Sequence, residues 1–232
     1  MINDFSIKRN KMWTIIAFLA IGCSNSSSET KINTDTSTIE TKIVYPKSIN
    51  LVSGRYGEMS IGIDSNNNLT GVYEYYDAWD ESYKEYMKIC KFYFSGQMSK
   101  NNPVINIDAN WPGTTQKLKG IIKINIINDT TQVGLVLNEI PYGYAAVDFT
   151  KENEYVRKLN EKKNWSQINL IKPAKIKLYD FPDLSTVNKA YLIKNDIVKV
   201  LSKTDGWYEI EYNPPNDNSK SIIAWIREGD IL

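Results

Sequence analysis

MSIGID-SNNN-LTGVYEYY, residues 59–76, decides the class of fold. Met59, Ile61 and Ile63 recur at every second position, the period of a strand with one face in a core. Ser65 to Asn68 are turn formers, and Leu69 to Tyr76 return with β-branched and aromatic residues. Two such runs around a turn cluster predict a β-hairpin. The pattern continues downstream. ICKFYFSG (89–96) is a further strand, and VINIDANW (104–111) puts Ile105, Ile107, Ala109 and Trp111 on one face. KLKGIIKINII (117–127) and VGLVLNEI (133–140) flank the turn cluster NDTTQ. Six strands with short connections predict an antiparallel meander, curled as an open barrel or folded as a sandwich.

Cys90 alternates with Phe92 and Phe94, which places it in the core as a small apolar residue. KENEYVRKLNEK (151–162) reads as a short connecting helix. Thr150 is its cap, Glu152 and Glu154 lie in its first turn, and Lys162 and Lys163 lie near its end. Tyr155 and Leu159, four apart, would pack on the sheet.

The 232-residue chain has 28 Lys and Arg against 27 Asp and Glu, a net charge of +1. That balance argues against binding nucleic acid through bulk electrostatics. There is no histidine, so the usual general base, the commonest metal ligand and any Ser-His-Asp or Cys-His site are excluded. Two cysteines cannot build a zinc finger or a disulfide scaffold. No catalysis and no cofactor are expected.

Lys8, Arg9 and Lys11 precede the uncharged run MWTIIAFLA (12–20), and Ala20-Ile21-Gly22-Cys23 leads into SNSSSET. This is the layout of an export signal over residues 1–22. The apolar run is shorter than the roughly 20 residues that span a bilayer. With cysteine directly after Gly22, the segment resembles a bacterial lipoprotein signal, with Ala20 where leucine is usual and Ile21 where a small residue is usual. The resemblance implies lipidation of Cys23 and attachment to a membrane. Ser24 in place of Asp implies onward export to the outer membrane where the cell has one. The other reading is an ordinary secretory signal with a stray cysteine. Removing the segment takes away Asp4, Lys8, Arg9 and Lys11 and leaves a charge of −1. Residues 23–44, rich in Ser, Thr, Asn and Glu, read as the lipidated cysteine and a disordered tether. A β-rich domain of unknown role is assigned to 45–168 and a second β module to 169–232.

The second module carries KIKLYDFPD (175–183), AYLIKNDIVKVLSKTDGWYEIEYN (190–213) and SIIAWIREGDIL (221–232). Asn195-Asp196 precedes an apolar run, Gly206-Trp207 precedes an alternating strand, and Ala224-Trp225-Ile226 sits in the last strand. That series resembles the bacterial SH3 (SH3b) domain, with Asn195-Asp196 standing for Gly-Asp and Ala224-Trp225-Ile226 for Gly-Trp-Val. The match covers about a quarter of the chain. It implies a small SH3-like barrel that binds cell-wall peptides or assists a neighbouring enzyme. Tyr179, Phe181, Tyr191, Trp207, Tyr208 and Trp225 are the candidate ligand-binding residues; several must serve the core of so small a domain.

Two other segments draw notice. DAWDESYKEYM (77–87) gathers Asp77, Asp80, Glu81 and Glu85 with Trp79, Tyr83 and Tyr86. Carboxylates this dense suit Ca²⁺, or a glycosidase pair, but no EF-hand spacing is present, and a solvated loop or short helix is the simpler expectation. PYGYAAVDF (141–149) reads as a turn that ends the meander. The expected function is non-catalytic binding in the cell envelope, to peptidoglycan peptides or an envelope protein. The alternatives are an envelope inhibitor or immunity protein, which an exposed rigid acidic-aromatic loop would favour, and a small-molecule carrier, which would need a hollow first domain.

Overall fold

A computed structural model of the chain describes residues 51–99, 101–111, 114–115, 117–127, 130–141, 147–214 and 220–232. The expected export signal, Cys23 and the expected tether lie outside the described residues, as do residues 142–146. The chain is all-β, as its alternation predicts. Nine strands form the first sheet: β1 (Gly54–Tyr56), β2 (Met59–Ile63), β3 (Asn68–Asp80), β4 (Glu85–Gln97), β5 (Val104–Asn110), β6 (Lys117–Ile127), β7 (Thr130–Leu137), β8 (Val156–Lys158) and β9 (Glu161–Lys162). Six form the second: β10 (Gln167–Leu170), β11 (Lys175–Tyr179), β12 (Val187–Ile193), β13 (Ile197–Thr204), β14 (Trp207–Tyr212) and β15 (Ile222–Arg227). A 3₁₀ turn, Glu228–Asp230, follows.

The first sheet is an antiparallel meander in the order β8-β7-β6-β5-β4-β3-β2-β1-β9. Its two end strands are one stretch of chain. Val156 pairs with Gly134 of β7, and six residues on Lys162 pairs with Gly54 of β1. Residues 156–162 therefore lace the last long strand to the first, and the sheet curls to allow it. The inward face carries the predicted alternation: Met59 and Ile61, Cys90, Phe92 and Phe94, Ile105, Ile107 and Ala109, all buried. Tyr73, Phe92, Phe149 and Tyr155 interlock as stacked and edge-to-face rings with centroids 4.9–5.5 Å apart. Gly71 lies opposite Phe94, and a Cβ there would stand 2.2 Å from the Phe94 ring, so glycine makes room for that ring.

The expected helix over 151–162 does not form. Asn153 takes φ 65°, Tyr155 is buried in the first core, and Val156 onward is extended. A four-residue spacing fits a helical face and also the two-residue period of a strand. Tyr155 and Leu159 point into the core by the second route.

The second sheet has the order β10-β13-β14-β15-β11-β12. β10 begins at Gln167, so the boundary drawn at 168 falls inside a strand of this sheet. Ile176, Leu178, Leu192, Val198, Val200, Ile210 and Ile226 form its core. The two sheets share a third cluster, in which Val72 on the outward face of β3 meets Trp165, Ile168, Leu170 and Ile197. The contact is close: a Cβ on Gly62 would lie 2.8 Å from the Gln167 backbone. Thr70 Oγ1 accepts a 2.7 Å bond from the Ile168 amide. β13 is consequently buried on both faces over Ile197–Val200.

Candidate functional site: an aromatic face and a projecting arm

The aromatic face starts from a turn. Asp205 and Gly206 take φ 40° and 82°, and these two residues join Thr204 to Trp207 across the β13–β14 hairpin. Such a two-residue reversal needs the left-handed region, which glycine enters without penalty. From Trp207 onward side chains alternate, with Tyr208 and Ile210 in the core and Trp207, Glu209 and Glu211 on the opposite face. β15 sets Arg227 against Trp207 and Trp225 against Glu209; β11 sets Tyr179 against Trp225.

The Tyr179 and Trp207 rings meet edge to face, 4.9 Å between centroids at 81°. The Arg227 guanidinium lies 5.9 Å from the Trp207 ring. Tyr179, Trp207 and Trp225 are half-buried on one face. Tyr191, on β12 opposite Lys177, is exposed with the Lys175 ammonium 3.7 Å from its ring. Phe181 is exposed in the β11–β12 connection. Tyr208 does not join this group. It is 7 % exposed in the core, and its hydroxyl donates to Glu228 Oε1 at 3.3 Å.

The arm is the outer part of the β3–β4 hairpin. β2 pairs with β3 only up to Tyr73, and β5 pairs with β4 only from Tyr93. Among the described residues, 75–80 and 85–92 thus pair as strands only with each other, while the Glu74 amide still donates to the Glu58 carbonyl at 3.0 Å. At about 3.3 Å per residue the two strands run on some 20 Å past their last neighbouring pair, with Cys90 and Phe92 still in the first core and the outer part, from Asp77 to Lys88, largely exposed. An isolated hairpin is marginal, so this one needs side-chain support. On it Tyr86 packs against Tyr76 at 5.3 Å and Trp79 at 5.0 Å. Trp79 Nε1 donates to Glu81 Oε2 at 2.7 Å, and Lys84–Glu81, Lys88–Asp77 and Lys91–Glu74 form ion pairs. Asp80 Oδ1 accepts from the Ser82 and Tyr83 amides and closes the tip. The segment 77–87, expected as a loop or short helix, is therefore a braced hairpin, with Trp79, Tyr83 and Met87 exposed. Its carboxylates are spread along it, and among the described residues no three acidic or cysteine side chains gather as metal ligands.

Cys90 is fully buried at the base of the arm, and burial pushes its thiol up to about 12. Large side chains fill the first core, Tyr56, Tyr73, Phe92, Phe94, Phe149 and Tyr155 among them. Among the described residues no helix is long and apolar enough to cross a membrane.

Sequence reasoning missed Lys199 and Trp165. Lys199 sits in the run IVKVL, where a lone charge amid residues that are apolar on both faces signals a strand covered on both sides. Trp165 is 2 % exposed, and its Nε1 donates to Glu211 Oε2 at 3.0 Å. No family model matches the chain, and neither a curated protein nor a solved structure is significantly similar to it.

Proposed function

We propose that the chain is a lipid-anchored protein of the cell envelope with a non-catalytic binding role. Cys23 is the anchor, and the aromatic face of an SH3b-like second module is the contact surface. The observation that carries this reading is the edge-to-face pair of Tyr179 and Trp207 beside Trp225, set on rigid strands and half-open to solvent. Such rings offer large apolar contact with few rotamers to lose on binding. Lys175, Lys177 and Arg227 border them and suit a ligand bearing carboxylates, as peptidoglycan stem peptides do. The test is co-sedimentation of the full chain with purified peptidoglycan. The expected result is saturable binding that Trp207→Ala weakens at least tenfold while the chain stays folded. Binding unchanged by that substitution would overturn the reading.

The arm supports a second reading, an inhibitor that inserts Trp79, Tyr83 and the adjoining carboxylates into the cleft of an envelope enzyme such as a lysozyme. A braced hairpin presents these groups at small entropic cost. Inhibition of lysozyme that Tyr83→Ala abolishes is the result expected on this reading. Large side chains, Phe92, Phe94, Phe149 and Tyr155 among them, occupy the first core among the described residues, which lends a carrier reading no support.

A further inference from the structure

A polar cleft of about 510 Å³ lies where the first sheet meets the second, lined among others by Arg55, Glu74, Lys163, Lys199, Glu211 and Asn213. Lys199 is only 5 % exposed, and its ammonium donates to Asn213 Oδ1 at 3.0 Å. An ammonium has three N–H groups, and a buried one needs partners for all of them. Its ammonium also lies 5.9 Å from the centroid of the Trp165 ring, and among the described residues no carboxylate lies within 4.0 Å of it.

The neighbouring carboxylates are held elsewhere. Glu211 stands directly opposite Lys199 in the β13–β14 register, yet accepts from the Trp165 indole. Glu74 accepts from the Tyr76 hydroxyl and pairs with Lys91. Glu58 pairs with Arg157, and Glu161 with Lys163. Arg55, at the exposed side of the cleft, also lacks a carboxylate among the described residues. The cleft thus keeps its anions on other partners, while Lys199 and Arg55 line it with no carboxylate within 4.0 Å among the described residues. Burial holds the Lys199 pKa below the usual lysine value, against the pull of Glu74 and Glu211, as expected where a counter-ion is missing.

We propose that this cleft binds a small carboxylate-bearing ligand of the amino-acid type, with its carboxylate on Lys199 and Arg55. Glu74 and Glu211, though bonded elsewhere, keep their negative charge at the cleft and so disfavour a dianion such as phosphate, and the lone pairs they have left can accept from an ammonium or hydroxyl beside the ligand's carboxylate. The cleft lies at the Glu211 end of β14 and the aromatic pair at the Trp207 end of the same face, and the cleft lining includes none of Tyr179, Trp207 and Trp225, so either reading stands without the other.

The test uses the full chain with selectively labelled lysine and follows the Lys199 side-chain resonances while glycine, acetate or inorganic phosphate is added. The expected result is a saturable shift with glycine, a weaker one with acetate, and the weakest with phosphate. Lys199→Met keeps the stem volume and should lower glycine affinity at least tenfold, followed in that variant by calorimetry. Arg55→Ala, at an exposed position, should lower it several-fold with the fold intact, and keeps the proposal testable if Lys199→Met fails to fold. No saturable response to glycine, tighter binding of phosphate, or unchanged affinity in these variants would overturn the proposal.

Discussion

Tyr155 and Tyr56, 99 residues apart, are joined by a 3.0 Å hydrogen bond from the Tyr155 hydroxyl to the Tyr56 carbonyl inside the first core. This bond ties the closing segment to β1, beside the Arg157–Glu58 ion pair at 3.2 Å. Tyr155→Phe removes the bond and keeps the ring, and should cost about 1–2 kcal/mol. Tyr155→Ala also empties a fully buried site and should cost about 3–5 kcal/mol. Urea unfolding of both variants checks the order.

Two glycines separate a conformational from a contact requirement. Gly206 has φ +82° with nothing within 4 Å of an added Cβ. Gly206→Ala should cost about 1–2 kcal/mol through the left-handed backbone alone. At Gly62 an added Cβ meets the Gln167 backbone. Gly62→Ala should therefore loosen β10 from the first sheet and speed amide exchange at Ile168 before global unfolding. Hydrogen exchange on the two variants distinguishes the mechanisms.

Alkaline behaviour follows from burial. Tyr56, Tyr93 and Tyr212 are raised from the usual 10.0 to about 12, in each case chiefly by burial. The folded chain keeps these protons where the unfolded chain has lost them. The stability they contribute is complete below about pH 10 and is lost as pH rises toward 12. Phenolate titration followed alongside circular dichroism should show these tyrosines ionising together with unfolding. Cys90, raised to about 12, should resist thiol reagents in the native chain at pH 8 and react once urea unfolds it.

Among the described residues the arm pairs with no other strand beyond Tyr73 and Tyr93, so its outer part is expected to open locally. Tyr86→Ala removes the ring between Tyr76 and Trp79. It should speed amide exchange across 76–88 while shifting the global unfolding midpoint little. A large loss of global stability would mean that the arm belongs to the core.

Where one face is buried and the other wet, the strands were legible. Phe92/Phe94 and Ile105/Ile107 point inward as their period of two demands, and Met59/Ile61 do so too although Ser60 and Gly62 on the other face of β2 are covered by the second sheet. The closing segment was not legible, because Tyr155 and Leu159 satisfy both periods and the closure joins residues about a hundred positions apart. The contact between sheets was equally hidden. Lys199 looks like a wet position by alternation, yet it is 5 % exposed, opposite Ile168 of β10 and beside the Trp165 ring, where the second sheet meets the first. The aromatic candidates group Trp207 with Tyr208, although the strand period sets them on opposite faces of β14 and Tyr208 lies in the core. The meeting of Tyr179, Trp207 and Trp225 depends on β11 returning beside β15, a non-local pairing with no sequence signature.

The binding role of the aromatic face is tested most directly at the tryptophan side chains. The chain has six tryptophans. Their indole N–H signals, assigned by single Trp→Phe variants, can be followed while soluble peptidoglycan fragments are added. The account predicts saturable shifts at Trp207 and Trp225, with Trp165 and Trp79 unmoved. Shifts confined to Trp79, or no shift at any indole, would contradict it.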